Sequence, residues 1–366
     1  MQHFKLATPY LNERFFDHLI GKQKIFQKQM KVPEPEDTLR KIANQEYNTY
    51  VAEGVAPHKA TQSVPSSLLQ SFADDLKYNL AVKQQLLETQ LFKVLGSPFY
   101  ADNGFILYHG DSTDFLDKLI SNNINIDLTV TSPPYNIGKE YETPMSVDEY
   151  VESCSQWMSQ IYQITKPDGA FWLNVGHFEV PHKGLCVPIP YLLWDKSPFY
   201  LLQEVVWQYG AGVSTKYRLS PRNEKWLFYV KDAQKYTFNL DDIRDPNVKY
   251  PHQKKNGKYR CNPLGKNPSD VWEFPKITTG KKRSSKERTG HPAQFPLGIV
   301  ERVVKASSNQ IEVVLDPFAG SGSTGIAAAG LGRIFLGFEI KSDYCEMAVN
   351  RFKAFQMARK NFSAQE

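Results

Sequence analysis

The stretch Ile126-Asp127-Leu128-Thr129-Val130-Thr131-Ser132-Pro133-Pro134-Tyr135 decides the fold. Its first half is an apolar run of strand length, closed by a turn signal, as a strand buried on both faces reads. Two consecutive prolines end it, because each lacks an N–H and fixes its own φ. The strand end therefore presents a hydroxyl, rigid carbonyls and an aromatic face at one spot. A second strand end lies far along the chain. Asp316-Pro317-Phe318-Ala319-Gly320-Ser321-Gly322-Ser323-Thr324 follows the apolar run Ile311 to Leu315. Gly320 and Gly322 there allow tight turning and close approach of backbone to a ligand.

Between and around these two points the pattern alternates. Strands are expected at 104–109, 126–130, 170–175, 202–208, 225–230, 311–315 and 334–338. Helices are expected at about 112–120, 147–164, 293–305, up to about 329, and 342–360. That alternation predicts an α/β fold, a doubly wound, seven-stranded, mostly parallel sheet. Such sheets place ligands at the carboxyl ends of their strands, where both motifs fall. Residues 1–97 read as mainly helical: Leu68, Phe72, Leu76, Leu80, Leu87, Leu91 and Leu95 recur near helical spacing, with a start at Pro65-Ser66-Ser67 and a stop at Gly96. No chemical motif lies there, and a scaffold or dimerisation element is the reading favoured.

Composition narrows the class. A chain of 366 residues, 41% hydrophobic and 13% aromatic, can hold one large α/β domain and a smaller module. No apolar run reaches the ~18 residues of a membrane span. Met1-Gln2-His3-Phe4-Lys5 opens without a signal-peptide core, so a cytoplasmic, prokaryotic setting is expected, with no membrane partner. Cys154, Cys186, Cys261 and Cys345 form no CxxC pair, so neither a zinc site nor a disulfide framework is indicated and no metal is expected. Net charge is +5, but residues 244–290 hold thirteen Lys/Arg against four Asp/Glu, a local +9 that leaves about −4 elsewhere. The plainer reading of such a run is a solvated loop. Here Tyr250, Tyr259, Trp272 and Phe274 interleave with the cations, which favours a folded module for a polyanion.

The chemistry of Ser-Pro-Pro-Tyr suits a planar base bearing an exocyclic amine. That nitrogen is a poor nucleophile, since its lone pair is conjugated into the ring. Acceptors that hold its hydrogens out of the ring plane localise the pair. Ser132 Oγ and the Pro133 carbonyl can be such acceptors, Pro134 stiffens the turn, and Tyr135 can stack on the base face. At the second strand end, the free N–H groups of the following helix suit a carboxylate. Glu339 ends the next strand, roughly twenty residues on, where an acid can accept from ribose hydroxyls. Asp111 ends another strand; a plain N-cap is its rival reading at even weight. An isolated Ser-Pro-Pro would be read as a strand-capping turn, and an isolated Gly-rich turn as packing. Their co-occurrence is what carries weight.

These motifs resemble the β group of amino-group DNA methyltransferases, in which the Rossmann-like fold is circularly permuted. The likeness covers roughly residues 100–355, with Gly290-His291-Pro292-Ala293-Gln294-Phe295-Pro296, Asn223 to Lys231 and Gly265 to Trp272 as further family-like stretches. The resemblance implies S-adenosylmethionine (SAM) as methyl donor. It implies Ser132, Pro133, Pro134 and Tyr135 as the catalytic set. Asp111, His291, Pro292, Asp316, Pro317, Phe318, Gly320, Gly322, Thr324 and Glu339 would bind the cofactor. The expected layout is a helical extension (1–97), a catalytic half (98–232), a basic target-recognition module (233–289) and a SAM-binding half (290–366). In that module Lys254, Lys255, Lys258, Arg260, Lys281, Lys282, Arg283, Lys286 and Arg288 are the candidate DNA contacts.

The implied substrate is double-stranded DNA with the target base flipped out. Serine at the head of the tetrapeptide goes, within that family, with N4 of cytosine, and aspartate with N6 of adenine. N4-cytosine methylation is the leading expectation, as part of a restriction-modification system with a cognate endonuclease as partner and a homodimer allowed. N6-adenine methylation on the same scaffold is the alternative. A non-catalytic, SAM-binding DNA regulator ranks third. Carbon-5 methylation is disfavoured, because it needs a cysteine nucleophile and none of the four cysteines follows a proline.

Overall fold

The computed structural model of the chain describes residues 66–136, 145–210, 214–262, 264–277, 287–289 and 294–363. In chain order the elements are α1 (Ser66–Leu95), β1 (Tyr100–Asp102), β2 (Phe105–His109), α2 (Ser112–Ser121), β3 (Ile126–Thr131), α3 (Val147–Ile164) and β4 (Thr165–Val175). Then come β5 (His177–Val180), β6 (Gly184–Pro188), α4 (Pro190–Leu193), β7 (Tyr200–Gln208), β8 (Asn223–Val230), β9 (Lys254–Lys255), β10 (Lys258–Tyr259) and β11 (Val271–Glu273). The chain closes with α5 (Leu297–Ser307), β12 (Val313–Asp316), α6 (Ser323–Gly330), β13 (Ile334–Glu339) and α7 (Ser342–Ser363).

Two compact units divide the chain: Asn79–Asp245 with Asn267–Gln365, and Met1–Tyr78 with Pro246–Lys266 and Glu366. The larger unit holds one nine-stranded sheet in the order β1-β2-β13-β12-β3-β4-β8-β7-β11. The seven expected strands are its interior, and short edge strands β1 and β11 extend it. The pairs β2–β13, β13–β12, β12–β3 and β3–β4 are parallel, whereas β8 runs antiparallel to β4 and β7. In the smaller unit β9 and β10 form a two-residue-paired hairpin around Asn256-Gly257, both at positive φ. That is the turn chemistry a tight hairpin asks for.

The interior strands are apolar in runs because helices cover both faces. Ile106, Tyr108, Leu315, Leu336 and Phe338 pack with Leu116, Trp157 and Ile161 of α2 and α3. Their strand neighbours Phe105, Leu107, Val314 and Phe335 pack on the other side with Val300, Val304, Ala327 and Phe352 of α5, α6 and α7. Alternation across each strand thus feeds two cores. Helix α3 starts at a capping box: Ser146 Oγ accepts from Glu149 N at 3.2 Å, and Ser146 N donates to Glu149 Oε2 at 2.8 Å. Helix α1 stops at Gly96, whose N–H donates to Phe92 O at 3.0 Å with φ of +85°.

Two boundaries differ from expectation for a backbone reason. The strand expected from Ile311 begins at Val313, because Ile311 sits at φ +60° and cannot extend. The helix expected from 293 begins at Leu297 with Pro296 as its N-cap; the proline pushes Phe295 toward extended backbone. The β5–β6 hairpin, α4 and the edge strands carry no strong pattern in the sequence, being short. The first part of the expected helical extension, residues 1–65, lies outside the described residues. Among those described, no helix is long and apolar enough to cross a membrane.

Gly325 faces the sheet from α6, and a Cβ there would overlap the rings of Phe105 and Phe335. We therefore expect Gly325→Ala to destabilise the larger unit by about 1–3 kcal/mol, the cost of an overfilled core. Urea unfolding followed by tryptophan fluorescence measures it; a stability equal to the parent's would show that this helix is not in close contact with the sheet.

Candidate active site

The strand order reverses direction between β12 and β3. From β12 the chain proceeds through α6 to β13 on one side, and from β3 through α3 to β4 on the other. Doubly wound sheets open a crevice at such a switch point, outside the strands' carboxyl ends. The two motifs singled out in the sequence leave the sheet at that point. They are joined directly: Thr131 Oγ1 donates to Asp316 Oδ1 at 2.6 Å, in the buried interior.

Asp316 is buried, and both carboxylate oxygens are occupied by its own chain. Oδ1 also accepts from Phe318 N at 3.1 Å, and Oδ2 accepts from Thr324 Oγ1 at 2.7 Å. Burial raises its pKa from 3.8 to about 6, against the lowering effect of those three donors. The carboxylate thus ties the Ser-Pro-Pro-Tyr strand, the Gly-rich turn and the first turn of α6 together. Glu339 buttresses the same turn. Its Oε2 accepts from Gly320 N at 2.8 Å and its Oε1 from Lys341 N at 2.9 Å, while burial pushes its pKa upward. Arg351, from α7, holds the turn from behind through Ser321 O at 2.5 Å and Ser323 Oγ at 3.1 Å.

The turn itself is shaped by Gly320 at φ +49° and Gly322 at φ +74°; a Cβ on Gly322 would lie 2.9 Å from Ala348 Cβ. Gly322 is the N-cap of α6 and offers no side-chain hydrogen bond. The first amides of that helix are therefore left for an external acceptor. Pro317 is buried, and half-buried Phe318 sets its ring edge-on to Trp157 of α3 at 5.4 Å. Asp111, at the end of β2, caps α2: its Oδ1 accepts from Thr113 N at 2.8 Å and from Thr113 Oγ1 at 2.6 Å.

Across the crevice, Ser132 and Tyr135 form an ordered hydrogen-bond chain. Ser132 Oγ and Tyr135 Oη lie 2.9 Å apart, and Tyr135 Oη donates to Asn174 Oδ1 at 2.9 Å. Asn174, the last residue but one of β4, is buried and donates through Nδ2 to Lys225 O at 3.2 Å. That last bond turns Oδ1 toward the tyrosine, so the tyrosine must donate there. Its oxygen is then left to accept the Ser132 proton, and Ser132 faces the crevice with lone pairs. The Tyr135 ring lies over Gly176, where a Cβ would come within 3.2 Å of it. Pro133 is buried and Pro134 exposed at the mouth.

The expected residues at the switch point are thus brought together, with Asp111 one strand further out. Thr131, Asn174 and Arg351 were missed. Thr131 adjoins the tetrapeptide, but only the strand pairing reveals its bond. Asn174 stands out in the sequence as a polar residue within the apolar run Ala170 to Val175, a signal that could have been read. His291 and Pro292 lie outside the described residues, as do Lys281, Lys282, Arg283 and Lys286. Of the remaining basic residues, Lys254 and Lys255 are exposed on β9, Lys258 begins β10, Arg260 is exposed and donates to Gln253 Oε1 at 3.3 Å, and Arg288 is exposed.

A mostly parallel, doubly wound sheet with the Ser-Pro-Pro-Tyr strand end and the Gly-rich turn at one crevice defines a protein of the α/β class. The chain belongs to the N6_N4_Mtase family of DNA methylases, whose profile matches residues 126–350. It is 60% identical over 262 residues to the Type II methyltransferase M.ScaI of Streptomyces caespitosus, covering 72% of this chain and 86% of that one. It is 31% identical over 269 residues to the DNA adenine methyltransferase YhdJ of Escherichia coli K12, covering 71% and 85%. The structure of the PvuII DNA methyltransferase (cytosine-N4-specific) shares the fold at a TM-score of 0.55 and 18% identity, over 70% of this chain and 89% of that one. The fold is accordingly the Rossmann-like methyltransferase fold, and the enzyme is a DNA methyltransferase acting on an amino group.

The raised pKa of Asp316 has a measurable sign. A carboxyl that holds its proton more tightly when folded makes the native state lose stability as pH rises from 3.8 to about 6. Asp316→Asn removes that titration. Across this window the variant's stability relative to the parent should rise, by at most ~3 kcal/mol. Paired thermal melts at pH 5 and pH 8 test this. A constant difference between the two proteins would place the Asp316 pKa near its ordinary value.

Proposed function

We propose that this enzyme transfers a methyl group from SAM to N4 of a cytosine flipped out of double-stranded DNA, as the modification half of a restriction-modification system. The observation that carries the reading is the Ser132–Tyr135–Asn174 chain, set at the same crevice as the uncapped helix α6. The naming of the 60% identical relative as a Type II methyltransferase supports the restriction setting. Ser132 at the head of the tetrapeptide supports cytosine.

SAM supplies an electrophilic methyl on a sulfonium. The amides of α6 and the Gly320–Gly322 turn hold its carboxylate end, with Phe318, Pro317, His291 and Pro292 as further contacts and Asp111 toward the adenine. Asp316 and Thr324 fix the turn through their mutual hydrogen bond, and Glu339, which accepts one backbone N–H on each oxygen, keeps lone pairs for the ribose hydroxyls of SAM. Ser132 Oγ and the Pro133 carbonyl accept the two amine hydrogens and turn the nitrogen lone pair out of the ring plane. Tyr135 stacks on the base. Positioning supplies most of the rate enhancement, and the amine's surplus proton leaves to solvent, Ser132 being too weak a base to keep it. Residues 233–289 form the target-recognition module, in which Lys254, Lys255, Lys258, Arg260 and the cluster Lys281 to Arg288 contact phosphates. Residues 98–232 and 290–366 are the two halves of the catalytic domain.

N6-adenine methylation is the second reading, favoured by the likeness to a DNA adenine methyltransferase at 31% identity. Mass spectrometry of nucleosides from DNA methylated by the parent enzyme separates the two: N4-methylcytosine is expected, and N6-methyladenine alone would replace cytosine by adenine. Ser132→Ala should lower kcat by about 10²-fold, the scale of one lost transition-state hydrogen bond, with SAM affinity unchanged. Unchanged labelling of DNA by radioactive SAM would remove Ser132 from the reaction.

A further inference from the structure

The connection from β7 to β8 rises from the catalytic edge. Pairing of Asn174 with Trp226 and Gln208 with Asn223 puts both ends of that loop beside the carboxyl end of β4. At its tip stands Lys216-Tyr217-Arg218-Leu219, in which Tyr217 is 97% and Leu219 94% exposed. These are the most exposed of the large apolar side chains described. Two such side chains beside an active site, alternating with two cations, are costly in water unless something covers them.

The tip is held in shape. Thr215 N donates to Ser220 Oγ at 3.2 Å, and Thr215 Oγ1 donates to Arg218 O, closing a short loop beneath the tip. Below it, Tyr209 N donates to Arg222 O at 3.0 Å, and the Lys276 ammonium sits 4.7 Å from the centroid of the Tyr209 ring. The pattern of apolar tips between cations matches one partner chemically: a duplex, whose stacked bases are flanked on both sides by phosphates. Proteins that distort DNA insert such apolar wedges between base steps, and a base drawn into a pocket leaves a gap in the stack.

We propose that Tyr217 and Leu219 are a wedge that enters the duplex where the target base leaves it, with Lys216 and Arg218 on the adjoining phosphates. The proposal rests on the DNA base-flipping reading above and adds the element that opens the duplex. The wedge makes extrusion easier; it has no part in the methyl transfer once the base is in the pocket. Its removal should therefore matter only where the target base is paired.

The test compares the parent enzyme with Tyr217→Ala/Leu219→Ala on two duplexes carrying the site mapped by methylation-sensitive sequencing. One has the target base paired; the other has it opposite an abasic position. Incorporation of labelled methyl from SAM is the readout, with SAM affinity by equilibrium dialysis as the check on folding. We expect the variant to be slower by about tenfold or more on the paired duplex, to recover to within about threefold on the abasic one, and to bind SAM as the parent does. Equal rates of parent and variant on the paired duplex would overturn the wedge alone, as would an equal loss on both duplexes. No label from the parent on either DNA would overturn the DNA-methylation reading and the wedge with it. Lys216→Ala/Arg218→Ala should weaken binding to both duplexes alike and flatten its salt dependence; unaltered salt dependence would take these cations off the phosphates.

Discussion

One buried carboxylate holds the molecule's working parts together. Asp316 is enclosed at the switch point of the sheet, where a charge is costly unless its oxygens are satisfied. Three donors satisfy it, and each comes from a different piece: the end of β3, the Gly-rich turn and the first turn of α6. The same interaction that makes burial tolerable thus fixes the distance between the Ser-Pro-Pro-Tyr strand end and the Gly-rich turn. Glu339 repeats the logic one strand away, using backbone amides in place of hydroxyls. Both acids thereby fix the shape of the turn.

The order of the strands explains why this link has to span the chain. β12 and β13 come last in sequence yet sit between β2 and β3, which come first. Without β13 and β12, β2 would keep only β1 as a neighbour and β3 only β4. Only when residues 313–339 insert does the sheet close and the crevice form. Sheets built from such distant pairings carry a large loop-closure cost during folding, which the two-sided core must offset. Phe105 shows how: it stacks on Phe352 of the final helix at 4.4 Å and meets the tilted ring of Phe335 on the inserted strand at 4.7 Å.

Much of this was legible in the residues. Buried parallel strands announce themselves as apolar runs, and prolines and glycines mark where they stop, so Ile126 to Tyr135 and Asp316 to Thr324 located the two strand ends without coordinates. Hydrogen bonds across 185 residues, as between Thr131 and Asp316, leave no periodic trace. Asn174 was legible only as a polar interruption, and its role emerges from the bond to Lys225 O that sets its amide. Asp111 carried two readings in the sequence, and its cap on α2 leaves the cofactor role to be measured. Short pieces such as β1, α4 and β11 give too few residues for a period to form. Ile311 shows the opposite failure: its residue type argues for strand, while its left-handed backbone excludes it.

The most direct measurement is a double-mutant cycle between Thr131→Val and Asp316→Ala, read in kcat/KM for DNA methylation. Each single change breaks the same bond, so the account predicts strong non-additivity, a coupling of about 1–3 kcal/mol. The double variant should be little worse than the poorer single one. Losses that simply add would mean that the two strand ends are held independently, and the account of the site as one tied unit would be wrong.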